Sequence, residues 1–227
     1  MRKLHAFTFV ALTLFLTACG GKSTDKTETT DEQQVAEKKG EIYAVNLENS
    51  KVDWKATHKG GFAPRWGTLA IKSGEVSAAG NELTAGDFVI DMQSLKVDPK
   101  SVTEKDKKYS ELEDHLKSKD FFDVGINPTA DFKITGVVNL ETPNADAIAG
   151  ANKTISGNLT LKGKALNISF PAKVDVTDGA VTLQAKFTVN RADWDIKFGT
   201  SEADPAEWMI SKDIEIGIDV KADKSKI

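Results

Sequence analysis

From residue 42 onward the apolar residues of this chain fall on every second position, and no other feature constrains its fold as tightly. Val181, Leu183, Ala185, Phe187 and Val189 alternate with Thr182, Gln184, Lys186 and Thr188; Ile214, Ile216, Ile218 and Val220 alternate with Asp213, Glu215, Gly217 and Asp219. A period of two places successive side chains on opposite faces, so each run reads as a strand with one face toward a core and one toward water. Further runs cover about 44–58, 67–77, 82–93, 130–140, 154–162 and 165–176, which makes eight strand candidates. KGK at 162–164, TDGA at 177–180 and AAGN at 78–81 are hairpin signals between them.

One segment breaks the alternation. YSELEDHLKSKDFF begins with Ser110, and Glu113 three places on offers a capping box, while Leu112 and Leu116 lie four apart on one face. This predicts a short helix in the crossover between the third and fourth strands. Eight half-wet antiparallel strands can form a sandwich or a closed barrel, and an eight-stranded barrel has room for packed side chains or one small ligand. If the strands run up and down in order, the end of the first strand, the helical crossover and the segment 191–210 share one end. Long connections at one end then resemble a lid over an opening.

The first strand gives that end chemical character. In KVDWKATHKGGFAPRWG, residues 51–67, Val52, Trp54 and Ala56 form an apolar face that His58 closes. Arg65 shares the inward parity of Leu69 and Ile71, and Arg191 continues that of Phe187 and Val189. Unpaired arginines are costly to bury, so both are expected to meet solvent, a carboxylate such as Asp193 or Asp195, or a polar ligand head. Arginine suits a phosphate best, which marks Arg191 as the leading headgroup candidate.

The N-terminus reads as an address, not as fold. MRKLHAFTFVALTLFLTAC has Arg2 and Lys3, an apolar run from Phe7 to Leu16 and a small-residue ending, the pattern of a secretory signal over residues 1–18. Leu16-Thr17-Ala18-Cys19 resembles a bacterial lipobox, which implies cleavage before Cys19 and diacylglyceryl attachment to the sulfur of this, the chain's single cysteine. Gly20 after that cysteine favours the outer membrane by the sorting rule of enteric bacteria. Loss of Arg2 and Lys3 takes the formal charge from −4 to −6, so acyl chains, not attraction to anionic headgroups, would hold the protein on a membrane. The same acidic balance argues against a nucleic-acid partner. Residues 20–41 hold no aromatic and almost no aliphatic side chain, which predicts a disordered tether ahead of a folded unit at 42–227.

The stretches VNLENSKVDWKATHKGG, GDFVIDMQSLKV, LEDHLKSKDFFDVGINPTADFKITG, ISGNLTLKGKALNISFPAKV, FTVNRADWDI and ISKDIEIGIDVKA resemble, in that order, the YceI-like family of lipid-binding proteins. The resemblance covers about residues 42–222. It implies an all-β, lipocalin-like antiparallel barrel around a long apolar channel, with a helix near one end, and the binding of polyisoprenoids, quinones or similar long-chain lipids in the bacterial envelope. The family supplies no headgroup motif, so the polar candidates His58, Arg65 and Arg191 rest on parity alone.

Trp54, Phe88, Phe132, Phe170, Phe187 and Trp194, from an aromatic set that also holds Phe121 and Phe122, are the candidate walls of an apolar channel, although a barrel interior also needs such residues for plain packing. No cofactor or metal is expected: His58 and His115 are the only histidines after the signal, too few for a three-ligand zinc set. No nucleophile elbow is present, so an enzyme is not expected. Two readings of different class stand at this point. One is an envelope lipoprotein that sequesters or carries an isoprenoid, quinone or fatty-acid-like molecule; the other is an interaction lipoprotein whose barrel is filled by its own side chains.

Overall fold

The computed structural model describes residues 26–58, 61–142, 147–200, 205 and 209–224; the predicted signal peptide and Cys19 lie outside them. Among the described residues the strands are β1 (Thr29–Asp31), β2 (Glu41–Val45), β3 (Lys51–His58), β4 (Ala63–Ala79), β5 (Glu82–Val97), β6 (Thr129–Asn139), β7 (Lys153–Leu161), β8 (Lys164–Val176), β9 (Ala180–Asn190) and β10 (Ile210–Lys224). The single α-helix among them is α1 (Tyr109–Lys117), between β5 and β6. Strands β3 to β10 pair antiparallel with their sequence neighbours, and β10 pairs back with β3. The expected eight-stranded barrel is therefore closed, and closure removes the edges that would template aggregation.

Two strands were not foreseen as separate elements. The first candidate, 44–58, is broken into β2 and β3, which follow one another in the slot between β4 and β10. The break is a turn in which Asn46 accepts from the Asn49 N–H through its side chain at 3.2 Å. The other is β1, inside the segment read as a free tether.

Over residues 26–40 that expectation is corrected: the segment is a belt around the outside of the barrel. Thr27 N–H donates to the Thr188 carbonyl on β9 at 3.0 Å, and β1 pairs with β8 from Thr29↔Ile168 to Asp31↔Leu166. Strands β8 and β9 pair only from Ala172↔Ala185 to Val176↔Val181, so the belt occupies the seam where their other halves part. It then crosses β7, where Asn158 accepts from the Gln33 N–H at 3.0 Å and donates to the Gln33 carbonyl at 2.7 Å. Ala36 N–H reaches the Ile134 carbonyl on β6, and Lys38 pairs with Asp87 and Glu75. Polar composition left no apolar signal to read here; backbone hydrogen bonds to strands already in place order the segment instead.

The helix stands where predicted, with a different N-terminus. Lys108 is the cap residue without a side-chain cap, and Ser110 lies inside the helix, so the capping box does not form. Glu113 is buried and points the other way, accepting from Lys96 at 2.9 Å, the Val97 N–H at 3.2 Å and Lys117 at 3.3 Å. These bonds fasten α1 to the end of β5.

Candidate functional site

The barrel interior is filled at one end and hollow at the other. Toward the β4–β5 and β8–β9 turns, Tyr43, Val76, Leu83, Ile134, Ile155, Val174 and Val181 pack as a continuous buried core. The remaining length encloses a cavity of about 1000 Å³ that opens between α1 and the connections at the ends of β3 and β9. That is the upper range for a pocket holding one small or chain-like molecule.

Alternation builds the wall. Val52, Trp54 and Ala56 of β3, Phe187 and Val189 of β9, and Ile214, Ile216, Ile218 and Val220 of β10 all project inward. A row of four rings makes the floor: Phe88, Phe132, Phe170 and Phe187, with successive centroids 6.4, 5.6 and 4.1 Å apart. Gly157 is required beside that row, because a Cβ there would stand 2.2 Å from the Phe132 ring. On the open side Leu112 and Leu116 of α1 complete the wall with Phe121 and Phe122. The two leucines do share one helix face, as their spacing predicts.

Polar groups are confined to the mouth, where His58, Lys107, Lys108, Glu111 and His115 line the opening. His115 Nε2 lies 3.2 Å from Asp120 Oδ2, and its ring meets Phe121 and Phe198 edge-on at 5.1 and 4.9 Å. Lys108 stands 3.8 Å from Glu111. Below this ring of groups the wall is hydrocarbon, so the cavity suits a molecule with a long apolar part and one polar end.

The predicted site residues divide. Trp54, Phe88, Phe132, Phe170 and Phe187 line the cavity, and His58 stands at its mouth. Trp194 does not: it is 1% exposed, behind the wall, and donates through Nε1 to the Leu159 carbonyl at 3.0 Å. Its place among the wall candidates rested on its aromatic character alone, and a 3-10 turn over Arg191–Trp194 carries it out of the strand's alternation. Arg65 reaches the mouth with its donors engaged, Nη2 to both oxygens of Glu104 at 2.7 and 2.9 Å and Nη1 to the Ser101 carbonyl at 2.9 Å.

Arg191 departs furthest from expectation. It is 1% exposed, and it meets neither solvent nor Asp193 or Asp195. Its guanidinium donates to the carbonyls of Ile196, Phe198, Ile210 and Ser211 at 2.6 to 3.1 Å. Burial pushes its pKa down to about 10, and four carbonyl acceptors act in the opposite sense, so it stays cationic at neutral pH. The residues that sequence reasoning left out of the site are the helix face and the polar groups of the crossover. The four-residue spacing of Leu112 and Leu116 was the available signal.

Glu113 makes the attachment of the helix pH-dependent. Its burial would raise the carboxyl pKa, but hydrogen bonds from Lys96, Val97 and Lys117 outweigh it and hold the group below the ordinary range. A depressed folded-state pKa adds stability above the unfolded value of about 4.3, and that stability is lost as pH falls through the folded value. Glu113→Gln should therefore cost about 1–2 kcal/mol at pH 7 and much less near pH 3. Thermal melting of both proteins at the two pH values checks this.

The model of the YceI-like domain matches residues 43–222. A UPF0312 protein of Pseudomonas paraeruginosa is 34% identical over 93 residues, 39% of this chain, and the match spans only 44% of that relative's length. Among solved structures, BcnA of Burkholderia cenocepacia is similar with a TM-score of 0.56 at 21% identity, covering 78% of this chain and 99% of that one. A polyisoprenoid binding domain from Saccharophagus degradans gives a TM-score of 0.55 at 12% identity, covering 81% and 98% of the two chains. At such identities the two structures establish a shared barrel fold.

Proposed function

The chain belongs to the YceI-like family, and from that premise we propose that it binds one long-chain apolar molecule, of isoprenoid or similar kind, tail-first in its barrel. The observation that carries this reading is the blind, hydrocarbon-walled cavity of about 1000 Å³ with polar groups only at its mouth. Burial of an apolar chain there gains roughly 25 cal/mol per Å², without any directional contact along its length. A structural relative described as a polyisoprenoid binding domain supports the same ligand class. With both arginines committed to the protein itself, the head of the molecule falls to Lys107, Lys108 and His115.

The place of action in this reading is the cell envelope, with Cys19 acylated and the barrel on the periplasmic side. Its role is to sequester or carry the lipid, without chemistry on it. The reading of a barrel filled by its own side chains is not favoured, since only the end below the phenylalanine row is filled.

Mass spectrometry of the organic extract from the natively purified full chain provides the test. One dominant long-chain lipid at near-equal stoichiometry is expected. An empty extract, repeated after incubation with polyisoprenoids and quinones, would remove the proposal.

A further inference from the structure

The belt changes what an anchor at Cys19 would do. A free coil from residue 20 to 41 would let the barrel tumble at a mean distance on the order of 25 Å from its anchor. Instead the chain is fixed to the barrel from Lys26 onward: Lys26 lies 2.9 Å from Asp213 on β10, and Thr27 is bonded to Thr188 on β9. Only seven peptide steps separate Cys19 from Lys26, a span of at most about 25 Å. The point of fixation is also specific. Thr188 is two residues from the mouth end of β9, and Asp213 is three from the mouth end of β10. The barrel is longer than the leash: the 17 residues of β4, at about 3.3 Å each and tilted some 40°, span roughly 40 Å.

The mouth rim carries a second, independent feature. Among the described residues the two most exposed large hydrophobic side chains are Phe62 at 90% and Ile126 at 78%. Phe62 lies in the β3–β4 connection and Ile126 just ahead of β6, both on the rim where α1 and the cavity opening lie. Phe198, 43% exposed and edge-on to His115, stands at the same opening. Exposed apolar side chains around an opening, on the end that a short leash holds down, fit the surface of a bilayer.

We infer that the barrel docks mouth-down on a lipid bilayer, with Phe62 and Ile126 as contact residues, so that its ligand passes between membrane and cavity without crossing water. The inference rests on acylation of Cys19 but not on the identity of the ligand. Because the Cys19 sulfur would be blocked by its diacylglyceryl group, one introduced cysteine can be labelled selectively. The full lipidated chain, carrying a fluorophore at Lys107→Cys (mouth) or Asp178→Cys (opposite end), is placed on phosphatidylcholine vesicles containing a headgroup-nitroxide quencher lipid. Quenching at the mouth should exceed that at the far end at least threefold. The additional pair Phe62→Ser and Ile126→Ser should bring the two closer together while the protein still floats with the vesicles. Equal quenching at both ends, or more at residue 178, overturns the docking. An intact mass showing an unmodified Cys19 instead overturns the anchor on which the docking rests. Neither outcome depends on whether a lipid fills the cavity.

Discussion

A chain carrying Ile214→Trp together with Ile218→Trp should fold and hold no lipid. Both isoleucines face the cavity from β10, Ile214 in register with Ala56 and Val189, Ile218 with Val52 and Ala185. They lie four residues apart, about 13 Å along the strand, so two indoles would obstruct the cavity at two depths. In a close-packed core such enlargement costs about 1–3 kcal/mol through displaced neighbours. Here the side chains enter open space of about 1000 Å³, and the added apolar area has a wall to pack against.

The expected result is a melting temperature equal to or above that of the parent, with lipid recovered in the organic extract falling at least tenfold. Both quantities come from one preparation, so loss of ligand through unfolding is seen at once. A folded double variant that still yields a full complement of lipid would place the ligand elsewhere on the protein.

How much of this was legible beforehand depends on the kind of residue. The inward set on β9 and β10 could be read because β-alternation fixes which side chains share a face, whatever the neighbouring strands are. The rule says nothing of Trp194, which follows the strand's end by four residues and lies in a turn with its own geometry. Strand β4 runs longer than the apolar run at 67–77 predicts, since Pro64 looks like a breaker yet sits inside the sheet, and β5 continues past residue 93 to Val97. Gly67 is in β4 for a steric reason: a Cβ would stand 1.8 Å from the Lys96 carbonyl and 2.9 Å from the Trp54 indole nitrogen.

The belt was illegible because its order comes from partners far away in sequence. The two amides that help hold it, Asn158 and Asn167, are joined to each other at 2.9 Å, and both occur in Asn-x-Ser/Thr triplets that carried no structural signal. The two arginines among the headgroup candidates are engaged within the protein, and this was illegible for a different reason. Parity tells which way an arginine starts, and not where six atoms later its guanidinium ends.

Arg191→Met should destabilise the barrel by about 3–5 kcal/mol, a drop of roughly 10 °C in melting temperature for a chain of this size. Four carbonyls would lose a donor at a site that is 1% exposed, and each buried acceptor left unsatisfied costs about 1–3 kcal/mol. The sum is smaller than four separate losses because the 196–198 turn can open and hydrate. The substitution also removes the contact of the guanidinium with the Phe121 ring, 5.4 Å from its centroid, and opening of the turn frees Phe198 from the mouth. Arg191→Lys should recover only part of the loss, since one ammonium cannot span acceptors from the turn and from the start of β10 together. Thermal or urea melting separates this role from headgroup recognition. A residue that reads a headgroup would, when replaced, lower lipid content at unchanged stability. The four carbonyl bonds predict the reverse order of effects: stability falls first, and lipid is lost only because the mouth that retains it has come apart.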